Sequence, residues 1–162
     1  MIEVSIILII YDSASGNTEK MVHAVAEGAE MVKGMKVITK RVDQASVDDL
    51  LSADGIIMGS PCYFGQMSTK LKDFIDRSHK VYCKLDGKVG AAFTSSGGTA
   101  SGAETTLLSI IHAMLIHGMV VFGRSGGKHY GAAAVKSPDA QCIENCRDLG
   151  HKTANIVAKL AK

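Results

Sequence analysis

Short β-branched apolar runs alternate along this chain with segments whose apolar residues recur every three or four positions. The runs are typical of strands buried on both faces, and the periodic segments are typical of amphipathic helices. We predict strands at residues 2–11, 36–41, 55–60, 88–94 and 119–122. Helices are predicted at 18–34, 67–79, 103–117 and from Ser137 to about Leu160, with a short helical turn at 47–53.

Strict alternation of strands and helices requires a mainly parallel sheet joined by right-handed crossovers, with helices on both faces. The sequence therefore predicts an α/β fold: one domain over residues 1–162, in three layers, with a five-stranded parallel sheet of order 2-1-3-4-5. In that order, ligands bind at the carboxyl ends of strands one and three, where the winding reverses.

Charge and cysteine content exclude several classes of function. The 18 Lys and Arg nearly balance the 16 Asp and Glu, so the net charge of +2 provides no basic surface for nucleic acid. The apolar run at the start is too short to cross a membrane or to act as a signal sequence. The four cysteines form no C-x-x-C pair and no metal-ligand cluster. We expect a cytoplasmic protein with reduced thiols, no metal, and no membrane or nucleic-acid partner.

The loop between the first strand and the first helix has the composition of a phosphate site. It presents three hydroxyls, an amide and a glycine at a helix N-terminus, where free N–H groups and the helix dipole favour an anion. A plain helix cap is the alternative, but a cap needs only one such residue. Neither G-x-G-x-x-G nor a functional Walker A sequence is present. The predicted phosphate loop consists of Ser13, Ala14, Ser15, Gly16, Asn17 and Thr18.

Two further loops follow the third and fourth predicted strands. The first contains two adjacent aromatic residues, which suit contact with a flat ring, although Phe64 alone also fits a core position. The second is small and flexible, so that a planar ligand can approach its backbone, or it is a plain solvent loop. Their predicted binding residues are Pro61, Cys62, Tyr63, Phe64 and Gly65, and Thr94, Ser95, Ser96, Gly97 and Gly98.

A family resemblance rests on four stretches: YDSASGNTEKM, GSPCYFGQMSTKLKDFIDR, TSSGGTASGAETTLLSI and HGMVV. Together they resemble the flavodoxin-like NAD(P)H:quinone oxidoreductases of the tryptophan-repressor-binding-protein type, over residues 2 to about 131. The resemblance implies a flavodoxin-like fold and FMN as cofactor, with its phosphate on the Ser13–Thr18 loop and its ring between the other two loops. His117 matches a family histidine at the flavin, and Tyr82 stands where the family usually has a tryptophan lining the substrate space. We therefore expect both as catalytic residues, although His117 also fits a helix C-cap before Gly118.

Two departures from the family pattern bear on assembly and on substrate. The segments 41–55 and 123–131 are both shorter than in the family. We expect an FMN-dependent enzyme that oxidises NAD(P)H and reduces a quinone or another small acceptor, assembled as a homodimer or homotetramer. The alternative is a flavodoxin that carries electrons to a redox protein partner, although the net charge of +2 lacks the acidic surface such carriers use.

Overall fold

The computed structural model describes residues 4–161 and consists of one twisted sheet between two layers of helices. The parallel strands β1, β2, β3 and β4 span Ser5–Tyr11, Met35–Arg41, Gly55–Pro61 and Val89–Ser96. Two shorter strands follow, β5 at Val120–Val121 and β6 at Ala132–Val135. The helices are α1 at Asn17–Glu30, α2 at Asp49–Ser52, α3 at Thr69–Arg77, α4 at Ala103–Ile116 and α5 at Ala140–Leu160.

The strand order is β2-β1-β3-β4-β5, which confirms the predicted fold and order. Strand β1 pairs in parallel with both β2 and β3, so Tyr11 lies between Arg41 and Gly59. The first predicted strand begins earlier, at residue 2, and its residues 2 and 3 lie outside the described residues.

The prediction of five strands is one strand short. The fifth position in the sheet, beside β4, is shared by two short strands. Strand β5 pairs with Val89 and Gly90, while β6 pairs with residues 93–96 of the same neighbour. The two short strands therefore occupy successive parts of one edge, separated by residues 122–131. The sequence of β6 is AAAV, and alanine has little preference for strands, which explains why this strand was not predicted.

Each face of the sheet has its own apolar core. Ile7, Ile9 and Ile57 pack with helices α1 and α5, whereas Leu8, Ile10 and Ile56 pack with α3 and α4. All six side chains are at most 2% exposed. Adjacent strand residues point to opposite faces, so continuous apolar strands are what a sheet covered on both sides requires.

Helices α1 and α5 approach each other closely through two glycines. A methyl group on Gly28 would overlap the carbonyl oxygen of Arg147, and one on Gly150 would overlap the carbonyl oxygen of Val25. Both glycines are helical, so they are required here by proximity and not by backbone conformation.

The substitution Gly150→Ala tests this contact. Although alanine favours helices, the forced separation of α1 and α5 should lower the free energy of unfolding by about 2–3 kcal/mol. Urea unfolding measures the change. The matched control is Gly126→Ala, where an added methyl group meets no atom within 4 Å; the control should change stability by less than about 0.5 kcal/mol. Equal effects of the two substitutions would contradict the close contact.

Candidate functional site

The carboxyl ends of β1, β3 and β4 bring the three predicted loops to one edge of the sheet. The Asp12 N–H donates to the carbonyl of Gly59 at 3.0 Å, and the Cys62 N–H donates to the carbonyl of Ser95 at 2.8 Å. These bonds hold the starts of the loops at the same level. The structure therefore places residues 13–18, 61–65 and 94–98 together at the carboxyl ends of β1, β3 and β4. The winding reverses here between β1 and β3, and open α/β sheets bind ligands in a crevice at that point.

Helix α1 begins in the crevice without a side-chain cap. Gly16, in the left-handed region with φ of 87°, precedes the helix, and the first helical bond runs from Lys20 N–H to its carbonyl. Within residues 4–161 the amides of Asn17 and Thr18 donate to no protein group. By contrast, Ser68 caps α3 and Asp139 caps α5. The free amides and the dipole of α1 thus remain available to an anion.

Two hydroxyls of the predicted phosphate loop are engaged within the protein. The hydroxyls of Thr18 and Ser95 lie 2.8 Å apart in the interior, and this bond connects α1 to β4. Ser13 Oγ accepts a hydrogen bond from the Glu19 N–H at 3.3 Å. Ala14 and Ser15 are exposed. The anion would therefore meet backbone amides and the Ser15 hydroxyl first.

The loop after β3 is a tight turn with an exposed aromatic tip. Tyr63 and Gln66 exchange two backbone hydrogen bonds of 3.0 Å around Phe64 and Gly65. Phe64 has a φ of 50°, unfavourable for a bulky residue, and its side chain is fully exposed. The turn leans on the start of α4, since a methyl group on Gly102 would lie 2.5 Å from the Cα of Gly65. The Phe64 ring is therefore not a core residue, the alternative left open by the sequence.

The end of β4 combines buried hydroxyls with open backbone. The Thr94 hydroxyl donates to the carbonyl of Ser60 at 2.7 Å, and the Ser96 hydroxyl donates to the carbonyl of Gly98 at 3.0 Å. Strand β4 extends to Ser96, so the flexible part starts two residues later than predicted. Gly97 is exposed and has open space on its Cα, which leaves its backbone accessible to a flat ligand.

His117 and Tyr82 lie at the opposite end of the sheet from the three loops. Helix α4 starts beside the crevice at Gly102 and ends at His117, about 20 Å further along its axis at 1.5 Å per residue. His117 is the C-cap residue, and the following Gly118 has a φ of 76°. One chain therefore does not bring these two predicted catalytic residues to the crevice.

The surroundings of His117 form a partly apolar groove between α3 and α4. The imidazole Nε2 lies 2.7 Å from the Ser78 hydroxyl, whereas the buried Nδ1 has no partner among the described residues. The rings of Tyr82 and His117 are 6.3 Å apart and tilted by 51°. The groove has a volume of about 410 Å³, and its lining includes Met67, Ile75, Tyr82, Ala113, Ile116 and His117.

Sequence reasoning missed Arg41, a cation beside the predicted phosphate loop. It ends β2, and its guanidinium donates to the carbonyl of Ser13 at 3.1 Å. The predicted strand order contained the signal for this contact. It placed β2 beside β1, so the end of β2 had to lie beside the loop that follows β1. A second missed contact joins Lys20 to the hydroxyl of Ser137 at 3.2 Å.

Residues 4–161 contain neither a candidate metal site nor a candidate membrane-spanning helix. No three or more His, Cys, Asp or Glu side chains in that range are grouped to hold a metal ion. None of its helices combines the length and apolar character needed to cross a bilayer.

The fold defines a flavodoxin-like protein, with the 2-1-3-4-5 sheet of a class that binds FMN at the reversal between β1 and β3. Comparison with known proteins specifies the family. The profile described as "NADPH-dependent FMN reductase" matches residues 6–128, so the chain belongs to that family. This match confirms the predicted class, an FMN-dependent NAD(P)H oxidoreductase.

Three known proteins are similar to this chain over most of its length. A "Flavodoxin" of Aquifex aeolicus is 41% identical over 160 residues, which cover 94% of this chain and 86% of that protein. A "NAD(P)H dehydrogenase (quinone)" of Sinorhizobium fredii is 36% identical over 196 residues, covering 96% and 98%. The solved structure of a flavodoxin, WrbA-like protein from Agrobacterium tumefaciens has a TM-score of 0.83 at 29% identity, covering 96% of this chain and 98% of that one.

The burial of His117 generates a pH prediction. Burial lowers its pKa below the ordinary value of 6.5, so the unfolded chain binds a proton at a pH where the folded chain does not. The free energy of unfolding should therefore fall as pH drops from 6.5 toward the lowered pKa, and His117→Gln should make that fall shallower. Urea unfolding of both proteins over this interval measures the slope. Identical slopes, or an NMR titration midpoint of His117 above 6.5, would contradict the prediction.

Proposed function

We propose that this protein is a two-electron reductase that oxidises NAD(P)H through FMN and reduces a quinone or a similar small acceptor. The observation that supports it most directly is the N-terminus of α1, whose amides are free and whose N-cap is a left-handed glycine at the winding reversal. A dianionic phosphate satisfies both the free amides and the helix dipole.

The three loops suit both the phosphate and the ring of FMN. Asn17 and Thr18 would donate their amides to the phosphate, with the Ser15 hydroxyl added from the exposed side. Tyr63 and Phe64 would give the ring apolar contact on one side, and the backbone of Gly97 and Gly98 would border the other. When bound, FMN supplies the redox chemistry, taking a hydride from NAD(P)H and returning two electrons to the acceptor.

The second candidate function is a flavodoxin-type electron carrier that needs a protein partner. It is favoured by one observation, the 41% identity to a relative named "Flavodoxin". Against it stands the family match to NADPH-dependent FMN reductases and the 36% identity to a protein named "NAD(P)H dehydrogenase (quinone)". We propose the reductase as the principal activity.

A homo-oligomer would reconcile the positions of His117 and Tyr82 with a catalytic role. If two copies pair across α3 and α4 around a two-fold axis with the helices antiparallel, the C-terminal end of α4 in one copy meets the crevice of the other. Three exposed apolar side chains support a second copy as the occupant of this face: Tyr82 at 58%, Leu115 at 54% and Ile116 at 72% exposure. His117 of the partner subunit would then border the acceptor space, where an imidazole stabilises developing negative charge.

The activity is tested with the purified protein alone. A visible spectrum should show stoichiometric FMN, and menadione should drive steady NADH or NADPH oxidation without any added reductase. The double variant Thr18→Ala, Ser15→Ala tests the proposed phosphate loop. Its FMN affinity should fall about tenfold or more, because it loses the buried hydrogen bond to Ser95 and one proposed phosphate contact. Tight FMN binding without turnover would favour the carrier, and failure to bind FMN would contradict both functions.

The oligomer is tested by placing a charge on the α4 surface. Ile116→Glu should yield a smaller species in sedimentation and reduce menadione turnover by at least about tenfold, with FMN still bound, since the loss of a positioned imidazole has effects of this size or greater. Leu160→Glu is the control, an apolar residue that is 59% exposed at the end of α5, on the other face of the sheet. It should change neither property. A wild-type monomer with full turnover would contradict the arrangement.

A further inference from the structure

A carboxylate lies in the first turn of the helix that we propose for phosphate binding. Glu19 is the third residue of α1, and its own N–H is bonded to Ser13 Oγ of the loop. An anion here is attracted by the same helix dipole that would hold the phosphate. Unless it is neutralised, Glu19 would repel the phosphate and compete with it for the dipole.

Two neighbouring residues hold this carboxylate. The Tyr11 hydroxyl donates to Glu19 Oε1 at 2.9 Å, and Arg41 Nη1 lies 4.0 Å from the same oxygen. The guanidinium also lies over the Tyr11 ring, 5.8 Å from its centroid. Burial and the adjacent Glu19 raise the pKa of Tyr11, so the phenol stays protonated and can donate.

Arg41 also binds the backbone of the loop itself. Its Nη2 donates to the carbonyl of Ser13 at 3.1 Å, and its side chain is 31% exposed. A guanidinium presents several donors in one plane, so Arg41 reaches Ser13 and Glu19 at the same time. A second acidic neighbour, Asp43, has its Oδ1 3.8 Å from Arg41 Nε, and its side chain is 52% exposed.

We propose that Arg41 is a positioning residue for the phosphate loop: it fixes the Ser13 carbonyl and neutralises Glu19, so that the N-terminus of α1 accepts a dianionic phosphate. This inference rests on the proposed placement of FMN. Arg41 acts on the phosphate indirectly, without contact to it, and the charge of Glu19 disfavours phosphate binding. Selectivity for the phosphorylated flavin therefore depends on a charge pair outside the loop.

The test compares FMN with riboflavin, which carries the same ring without the phosphate. The full-length chain is freed of flavin, and both ligands are titrated by quenching of flavin fluorescence at low salt. Arg41→Gln should weaken FMN about tenfold, the size of one charge-assisted interaction, and riboflavin by less than about twofold. Lys40→Gln is the matched control, since it removes the same charge from the preceding residue of β2, where Lys40 pairs with Asp49 at 2.8 Å. It should alter neither affinity.

Removal of the carboxylate provides the rescue. Glu19→Gln alone should tighten FMN about two- to threefold without changing riboflavin, and the double variant with Arg41→Gln should recover most of the lost FMN affinity. The single Glu19 variant keeps the test valid if Arg41→Gln does not fold. Equal weakening of both flavins, or no rescue, would overturn the positioning role while leaving FMN binding intact. Failure of the wild-type chain to bind FMN would instead overturn the proposed function.

Discussion

The reversal of winding at β1 is the constraint on which the site depends. Because β1 pairs with β2 on one side and β3 on the other, helices α1 and α3 must cover opposite faces of the sheet. The loops that leave β1 and β3 therefore diverge and open a crevice between them. The strand itself is held by Ile7, Leu8, Ile9 and Ile10, each at most 2% exposed and contributing about 1.5–3 kcal/mol by burial.

Within that crevice, polar groups divide into those that build the protein and those left for a ligand. The hydroxyls of Thr18, Ser95 and Thr94 are bonded to other parts of the chain, and they lock α1, β3 and β4 together. The amides of Asn17 and Thr18 remain unpaired within the described residues. This division provides a rigid frame with a few free donors, and such preorganised dipoles bind an anion without reorganising.

The sequence was sufficient for the layered fold and for the order of the first five strands, because local and global signals agree. Continuous apolar runs specified buried parallel strands, and Gly16, Gly65 and Gly97 marked the loops at their ends. Strand β6 was missed because an AAAV segment has neither the branching nor the alternation of a strand; pairing with β4 alone determines it. Arg41 was missed because its role arises from register across two strands. The family resemblance predicts His117 at the flavin, but the sequence does not show that helix α4 carries this residue away from the three loops of its own chain.

The division of the last edge strand has a consequence for how the molecule behaves in a concentrated solution. A sheet edge with a long row of free amides and carbonyls can recruit strands from other molecules. Here the outer edge contains only two paired residues in β5 and four in β6, with residues 122–131 between them. Within residues 4–161, that side offers no uninterrupted row of strand residues for edge-to-edge association, so the break between β5 and β6 disfavours aggregation there.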